Sequence, residues 1–174
     1  MIYKRFRNSS NRMYKFDYGS EGIYFITILI KCNKSTVAKI TSDAGNYFSD
    51  LSATGKIIEK NWKYIPEKFN KVKIDAIVIM PDHLHGIINI TSPSKIISDT
   101  SGGITGAMNP MLHEHSLGKI ARWFKAKSSF EIRKTCDLSF SWQRNYYDSI
   151  LWNSPSLIAT RKYIQQNPSK WISK

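Results

Sequence analysis

Met80-Pro81-Asp82-His83-Leu84-His85-Gly86-Ile87-Ile88-Asn89-Ile90 sets two imidazoles one residue apart inside an apolar, β-branched run. Such a run behind a Pro-Asp turn reads as a strand. Residues 71–80, Lys-Val-Lys-Ile-Asp-Ala-Ile-Val-Ile-Met, read as the strand before it, so the two form an antiparallel hairpin. In an extended strand, side chains at i and i+2 share a face, which puts His83 beside His85 and turns Leu84 the other way. Two imidazoles on a stiff strand can hold a divalent cation and leave positions open for a phosphate oxygen and water. By itself a His-x-His pair is more often two hydrogen-bonded histidines than a metal site, so it needs a partner from elsewhere in the chain.

Outward from the pair, residues 24–30 form a β-branched and aromatic run after Gly22, expected to be a central, buried strand. Between 47 and 69 the apolar positions Phe48, Leu51, Ile57, Ile58, Trp62 and Ile65 recur at mainly helical spacing. This predicts one helix kinked or split near Gly55 and closed by Pro66. Residues 91–112, rich in Ser, Thr and Gly, read as a flexible loop. His113-Glu114-His115 repeats the His-x-His spacing at a loop-to-helix boundary, where neighbours have no fixed common face, and reads as incidental. Residues 117–134 predict an amphipathic helix whose other face carries Lys119, Arg122, Lys125, Lys127 and Arg133. Residues 139–152 suit an aromatic-rich strand in which Arg144 and one of Tyr146 and Tyr147 are candidates for stacking and holding unpaired bases. A last helix is predicted over 157–166, ended by Asn167-Pro168. On it Tyr163 and Asn167 are i and i+4 and share a face. Packing for the tyrosine and a helix stop for the asparagine is the plainer reading of those two alone.

At 174 residues the chain suits one domain, 1–174, and its 41% hydrophobic content can supply a core. Lys and Arg total 26 against 13 Asp and Glu, a formal net charge of +13 with a pI near 9.8. Such a chain attracts polyanions, and counterion release makes nucleic acid the leading partner. Residues 1–20 carry Lys4, Arg5, Arg7, Arg12 and Lys15 among Asn and Ser and read as a basic arm. Neither a long basic amphipathic helix, an apolar run near the ~20 residues that span a bilayer, nor a signal-peptide pattern is present, which disfavours a membrane partner. Cys32 and Cys136 form no C-x-x-C motif, so a reduced cytoplasm is the expected compartment.

Four segments together resemble a known family. They are Arg12 through Asp17-Tyr18 with Gly22-Ile23-Tyr24-Phe25-Ile26-Thr27, Met80 through Gly86, Trp142-Gln143-Arg144-Asn145-Tyr146-Tyr147-Asp148, and Tyr163-Ile164-Gln165-Gln166-Asn167-Pro168. Their order and spacing over nearly the whole chain resemble the REP-associated tyrosine transposases, relatives of the single-tyrosine insertion-sequence enzymes in the HUH class of nucleases. The resemblance implies an α+β fold, a ferredoxin-like or RRM-type antiparallel sheet with helices packed on one face. It implies His83, His85 and Asn167 as ligands of Mg²⁺ or Mn²⁺, and Tyr163 as the nucleophile. The substrate it implies is single-stranded DNA beside a REP-type hairpin, with cleavage through a phosphotyrosine link and strand transfer. Arg5, Arg7, Arg12, Arg122, Lys125, Lys127 and Arg144 are the candidate DNA contacts, and the protein would be a monomer or homodimer, bacterial and nucleoid-associated when bound.

Three features depart from the pattern. Asp82 stands where Asn is common and adds negative charge near the metal. Asp148-Ser149-Ile150-Leu151-Trp152 replaces a His-Ile-Ile-Arg type of sequence. The sequence ends soon after Trp171, so a C-terminal DNA-binding extension is not expected. Two other classes fit parts of the sequence. A non-catalytic RRM-like nucleic-acid-binding module accounts for the charge and aromatics, and a zinc-dependent hydrolase would use His83, His85, His113 and His115.

Overall fold

The computed structural model describes residues 16–31, 37–92 and 115–172. Arg5, Arg7, Arg12, Cys32, His113 and nearly all of the 91–112 loop lie outside the described residues. In chain order the elements are β1 (Gly22–Leu29), β2 (Ala38–Asp43), β3 (Asn46–Leu51), α1 (Ala53–Lys63), α2 (Ile65–Lys68) and β4 (Val72–Ile79). They continue with β5 (His83–Ile90), α3 (Leu117–Thr135), β6 (Tyr147–Ile150) and α4 (Ser154–Ile172).

The main sheet is antiparallel with the order β4-β5-β1-β6. Without β2 and β3 the chain reads strand, helix, strand, strand, helix, strand, with its first and third strands in the middle. This is the expected ferredoxin-like α+β plan. The β4–β5 hairpin closes where Met80 N–H donates to the His83 carbonyl at 2.7 Å.

Both central strands are buried on two sides. Leu84, Ile88 and Ile90 of β5 join Tyr24, Ile26 and Ile28 of β1 in the larger core, with Ile58 and Trp62 of α1 and Ile120 and Phe124 of α3. Helices α1 and α3 therefore pack on one face, as expected. The alternate residues of β5 point to the opposite face, where Ile87 meets Val78, Met80 and Ile164 of α4. Helix α4 and the β2–β3 hairpin thus cover part of the second face. Among the described residues no helix is long and apolar enough to cross a membrane.

Three expectations are corrected. Residues 47–51 are strand, not the start of a helix, because β3 pairs with β2 across a two-residue turn. Ala44 (φ 47°) and Gly45 (φ 83°) both take the positive φ that tight hairpins require. The helix starts only at Ala53, where the Ser52 hydroxyl accepts from Gly55 N–H at 3.3 Å, and it breaks at Tyr64 before Pro66 rather than at Gly55. Of 139–152, only Tyr147–Ile150 pairs as a strand, apart from a single bridge between Trp142 and Ile30. Phe140 and Trp142 turn into the core instead, with Trp142 Nε1–H donating to Ser128 Oγ at 3.1 Å. The last helix also runs through Pro168 to Ile172. Proline forfeits one helical hydrogen bond, but Ile164, Asn167 and Pro168 are buried, and burying an isoleucine alone contributes about 1.5–3 kcal/mol.

Gly86 marks the tightest contact of this arrangement. A Cβ there would lie 2.3 and 2.5 Å from two ring carbons of Trp62, which is itself fully buried. Gly86→Ala is expected to destabilise the protein by about 1–3 kcal/mol, the usual cost of overpacking. Urea unfolding followed by circular dichroism checks this, and an unchanged midpoint would show that Trp62 has room to move.

Candidate active site

Strand alternation brings His83 and His85 to the face that α4 covers, and their neighbours aim them. The Thr27 hydroxyl sits 2.8 Å from His85 Nδ1, because β1 pairs with β5 in the register that sets Thr27 opposite His85. The Asp82 carboxylate lies 2.5 Å from His83 Nδ1. A carboxylate only accepts, so the proton of a neutral His83 ring is on Nδ1 and its Nε2 keeps a free lone pair. The two Nε2 atoms converge to 3.1 Å.

The third group comes from α4. The Tyr163 hydroxyl lies 3.2 Å from His85 Nε2. Its ring is met edge-on by Phe25 at 6.0 Å, and Phe25 also lies tilted against His85 at 5.2 Å. Lys170 Nζ stands 5.3 Å from the centre of the Tyr163 ring. At the end of α4, the Trp171 ring comes within 6.0 Å of His83. Asn167 is halfway between Tyr163 and Trp171 on the same stripe and is 8% exposed. The two residues flanking it on that stripe each touch one imidazole, which places Asn167 on the side of α4 that faces the pair. Two residues before Tyr163, Arg161 donates to both carboxylate oxygens of Asp75, from Nε at 3.1 Å and from Nη2 at 2.5 Å. Asp75 lies where β4 slips by one residue against β5, between Ile74 and Ile77.

The donor set suits a cation. Two nitrogens each about 2.1 Å from one octahedral ion sit about 3.0 Å apart, close to the 3.1 Å observed. Asp82 and Thr27 stand where the outer partners that orient metal-binding histidines would stand. Burial, and next the neighbouring His83, push the His85 pKa down from 6.5 to about 4, so its imidazole is neutral near pH 7, the form that binds metal. Among the described residues no three His, Cys, Asp or Glu side chains gather as a metal cluster. Any further ligands would therefore be an amide such as that of Asn167, the substrate or water.

The other candidates are scattered. His115 is buried and packs edge-on to Phe69 at 6.3 Å, within the core on the α1 and α3 side of the sheet, so it does not join His83 and His85. Lys125 donates to the carbonyls of Gln143 at 2.6 Å and Asn145 at 2.8 Å, and burial lowers its pKa. Lys127 pairs with Glu131 at 2.9 Å. Arg122 and Arg144 are exposed, and of the two tyrosines Tyr147 is exposed while Tyr146 packs on the core. Thr27, Phe25, Lys170 and the Arg161–Asp75 pair escaped the sequence reading. Only Thr27 had a signal, in its place on the strand paired with β5, and that required the register.

Comparison with known proteins adds a family and a fold. No family model matches the chain. An uncharacterized protein of Haemophilus influenzae is 36% identical over 163 residues, which is 93% of this chain and 88% of that protein. The chain belongs to the family of that protein. Among solved structures, a REP-associated tyrosine transposase bound to a REP hairpin is similar with a TM-score of 0.58 and 17% identity, over 93% of this chain and 73% of that one. The likeness establishes a shared fold.

The depressed pKa of His85 gives a test. The unfolded chain takes up a proton near pH 6.5 that the folded chain refuses until about pH 4, so acidification favours unfolding across that window. With EDTA present, stability should fall as the pH drops from 6.5 to 4, by no more than about 1.4 kcal/mol per pH unit. His85→Gln should flatten that slope in thermal melts, and an unchanged slope would place the effect elsewhere.

Proposed function

We propose that this family member is a metal-dependent, single-stranded-DNA endonuclease and strand transferase of the single-tyrosine HUH type, acting beside a hairpin. Tyr163 is its nucleophile, and His83, His85 and Asn167 would hold a Mg²⁺ or Mn²⁺ ion. The reading is carried by one observation: a phenol from the last helix stands 3.2 Å from one of two imidazole nitrogens that are themselves 3.1 Å apart. Thr27 and Asp82 take the Nδ1 side of the two rings, which leaves both Nε2 atoms turned toward each other, with the Tyr163 hydroxyl beside that of His85, so that all three groups converge on one point of the surface. The net charge of +13 and the fold shared with a hairpin-bound transposase support DNA as the substrate.

A tyrosine hydroxyl has an unperturbed pKa of about 10 and is a weak nucleophile until its proton is removed. When bound, the divalent ion would polarise the scissile phosphate and offset the charge that builds on its oxygens. Tyr163 Oη attacks phosphorus in line, forming the Oη–P bond as the P–O3′ bond breaks. The phenol proton is lost to solvent, and the departing 3′ oxygen takes one up as a hydroxyl. Phe25 holds the tyrosine ring at its edge, and the Lys170 ammonium adds positive charge beside it. The phosphotyrosine keeps the energy of the phosphodiester, so a second 3′ hydroxyl can reverse the step and join a new strand.

A denaturing gel of the protein incubated with single-stranded hairpin DNA and Mn²⁺ tests this. Tyr163→Phe should still bind the hairpin but form no covalent adduct, and an adduct of normal yield would remove Tyr163 from the role. His83→Ala should remain folded and lose cleavage by about a hundredfold or more, as loss of a metal ligand or of its support does. Cleavage that persists in EDTA would refute the ligand assignment, and binding without any adduct in the wild-type chain would leave a non-catalytic nucleic-acid-binding module.

A further inference from the structure

The outer side of α4 and the β2–β3 turn enclose an open cleft of about 780 Å³ that the chemistry above does not use. Its size lies within the roughly 300–1,000 Å³ of ligand-binding clefts. From the hairpin come Asn46 and Tyr47, and from α4 come Lys162, Gln165, Gln166 and Ser169. Among the described residues that line it there is no carboxylate, and Arg161, also at its wall, is already paired with Asp75. Lys162 precedes Tyr163 in the chain and Gln166 follows it by one helical turn, so the cleft runs along the same helix that carries the tyrosine.

We propose that this cleft holds unpaired nucleotides of the DNA strand that Tyr163 attacks. The identity of that strand rests on the reading of Tyr163 as nucleophile, while the chemistry of the lining stands by itself. Carboxamides carry a donor and an acceptor side by side, the pattern that matches base edges. Tyr47 is 41% exposed, and its ring offers a stacking platform that accepts any base. The Lys162 ammonium supplies charge for a phosphate, and the open turn at Gly45 lets a backbone approach closely. A paired duplex offers no free base faces to such a cleft, so the occupant is single-stranded.

The test is binding measured by fluorescence anisotropy in EDTA, in a Tyr163→Phe background, so that no cleavage intervenes. The probes are a labelled hairpin and the same hairpin with a mixed-sequence unpaired tail on each side. The unaltered cleft should prefer the tailed probe. Tyr47→Ala with Gln165→Ala should reduce that preference by about fivefold or more, the lower end of the effect of losing one base stack, with the blunt hairpin bound as before. Tyr47→Phe should retain it. Lys162→Gln, a change at an exposed position, should reduce it and make it less sensitive to salt. Full tail preference in both cleft variants would overturn the proposal. Covalent adduct formation by the chain with Tyr163 intact is read separately. An adduct with tail preference unchanged in the variants would end the cleft assignment alone, and lost preference without any adduct would end the nucleophile assignment and leave the cleft standing.

Discussion

The rest of the molecule depends on β5 being buried on both faces. A strand in the middle of a sheet has no freedom to rotate, because its register is fixed on both sides and every second residue is committed to one core. Leu84, Gly86, Ile88 and Ile90 serve the core beneath α1 and α3, and Gly86 is small because the Trp62 ring occupies the space a side chain would fill. With that side locked, His83 and His85 have no alternative to the opposite face. Their ring orientations are then set by Asp82 at the hairpin turn and Thr27 on the neighbouring strand.

The second face is closed by α4, and its attachment determines whether the tyrosine reaches the imidazoles. Ile164 buries against Val78, Met80 and Ile87, and the helix continues through Pro168 into Trp171 beside His83. The Arg161–Asp75 fork ties the same helix to the irregular stretch of β4. Because that fork is exposed, it contributes more to direction than to stability. The apolar contacts supply the free energy and the fork fixes the angle at which Tyr163 enters.

Among the described residues, Lys125, Lys127 and Arg133 of α3 and Lys162 and Lys170 of α4 differ in what they meet. Lys125 and Lys127 on α3 are engaged with backbone carbonyls and Glu131, and Arg133 donates to the Phe140 carbonyl at 2.8 Å. Lys125 and Arg133 stitch the segment before β6 to the helix, while Lys127 pairs within α3. On α4, Lys170 stands instead 5.3 Å from the centre of the Tyr163 ring, and Lys162 lines the cleft toward the β2–β3 turn. A basic helical face read from spacing alone does not separate the two kinds, since a carbonyl several residues away satisfies an ammonium as readily as a phosphate does.

Local chemistry made part of this legible from residues. The Pro-Asp turn, the period-2 run behind it and the i, i+4 spacing of Tyr163 and Asn167 are properties of a few adjacent residues, and they specified the hairpin, the imidazole pair and the helical face of the tyrosine. The 47–69 segment misled because Phe48 and Leu51 fit a helical period while a strand partner, β2, supplied the deciding hydrogen bonds. Pro168 looked like a stop because the burial that carries the helix past it comes from strands distant in sequence. That Thr27 faces His85, that α4 lies across the second face and that His115 ends in the other core were decided only by tertiary structure. Each depends on register or on which face a segment covers, and those follow from the packing of the whole chain.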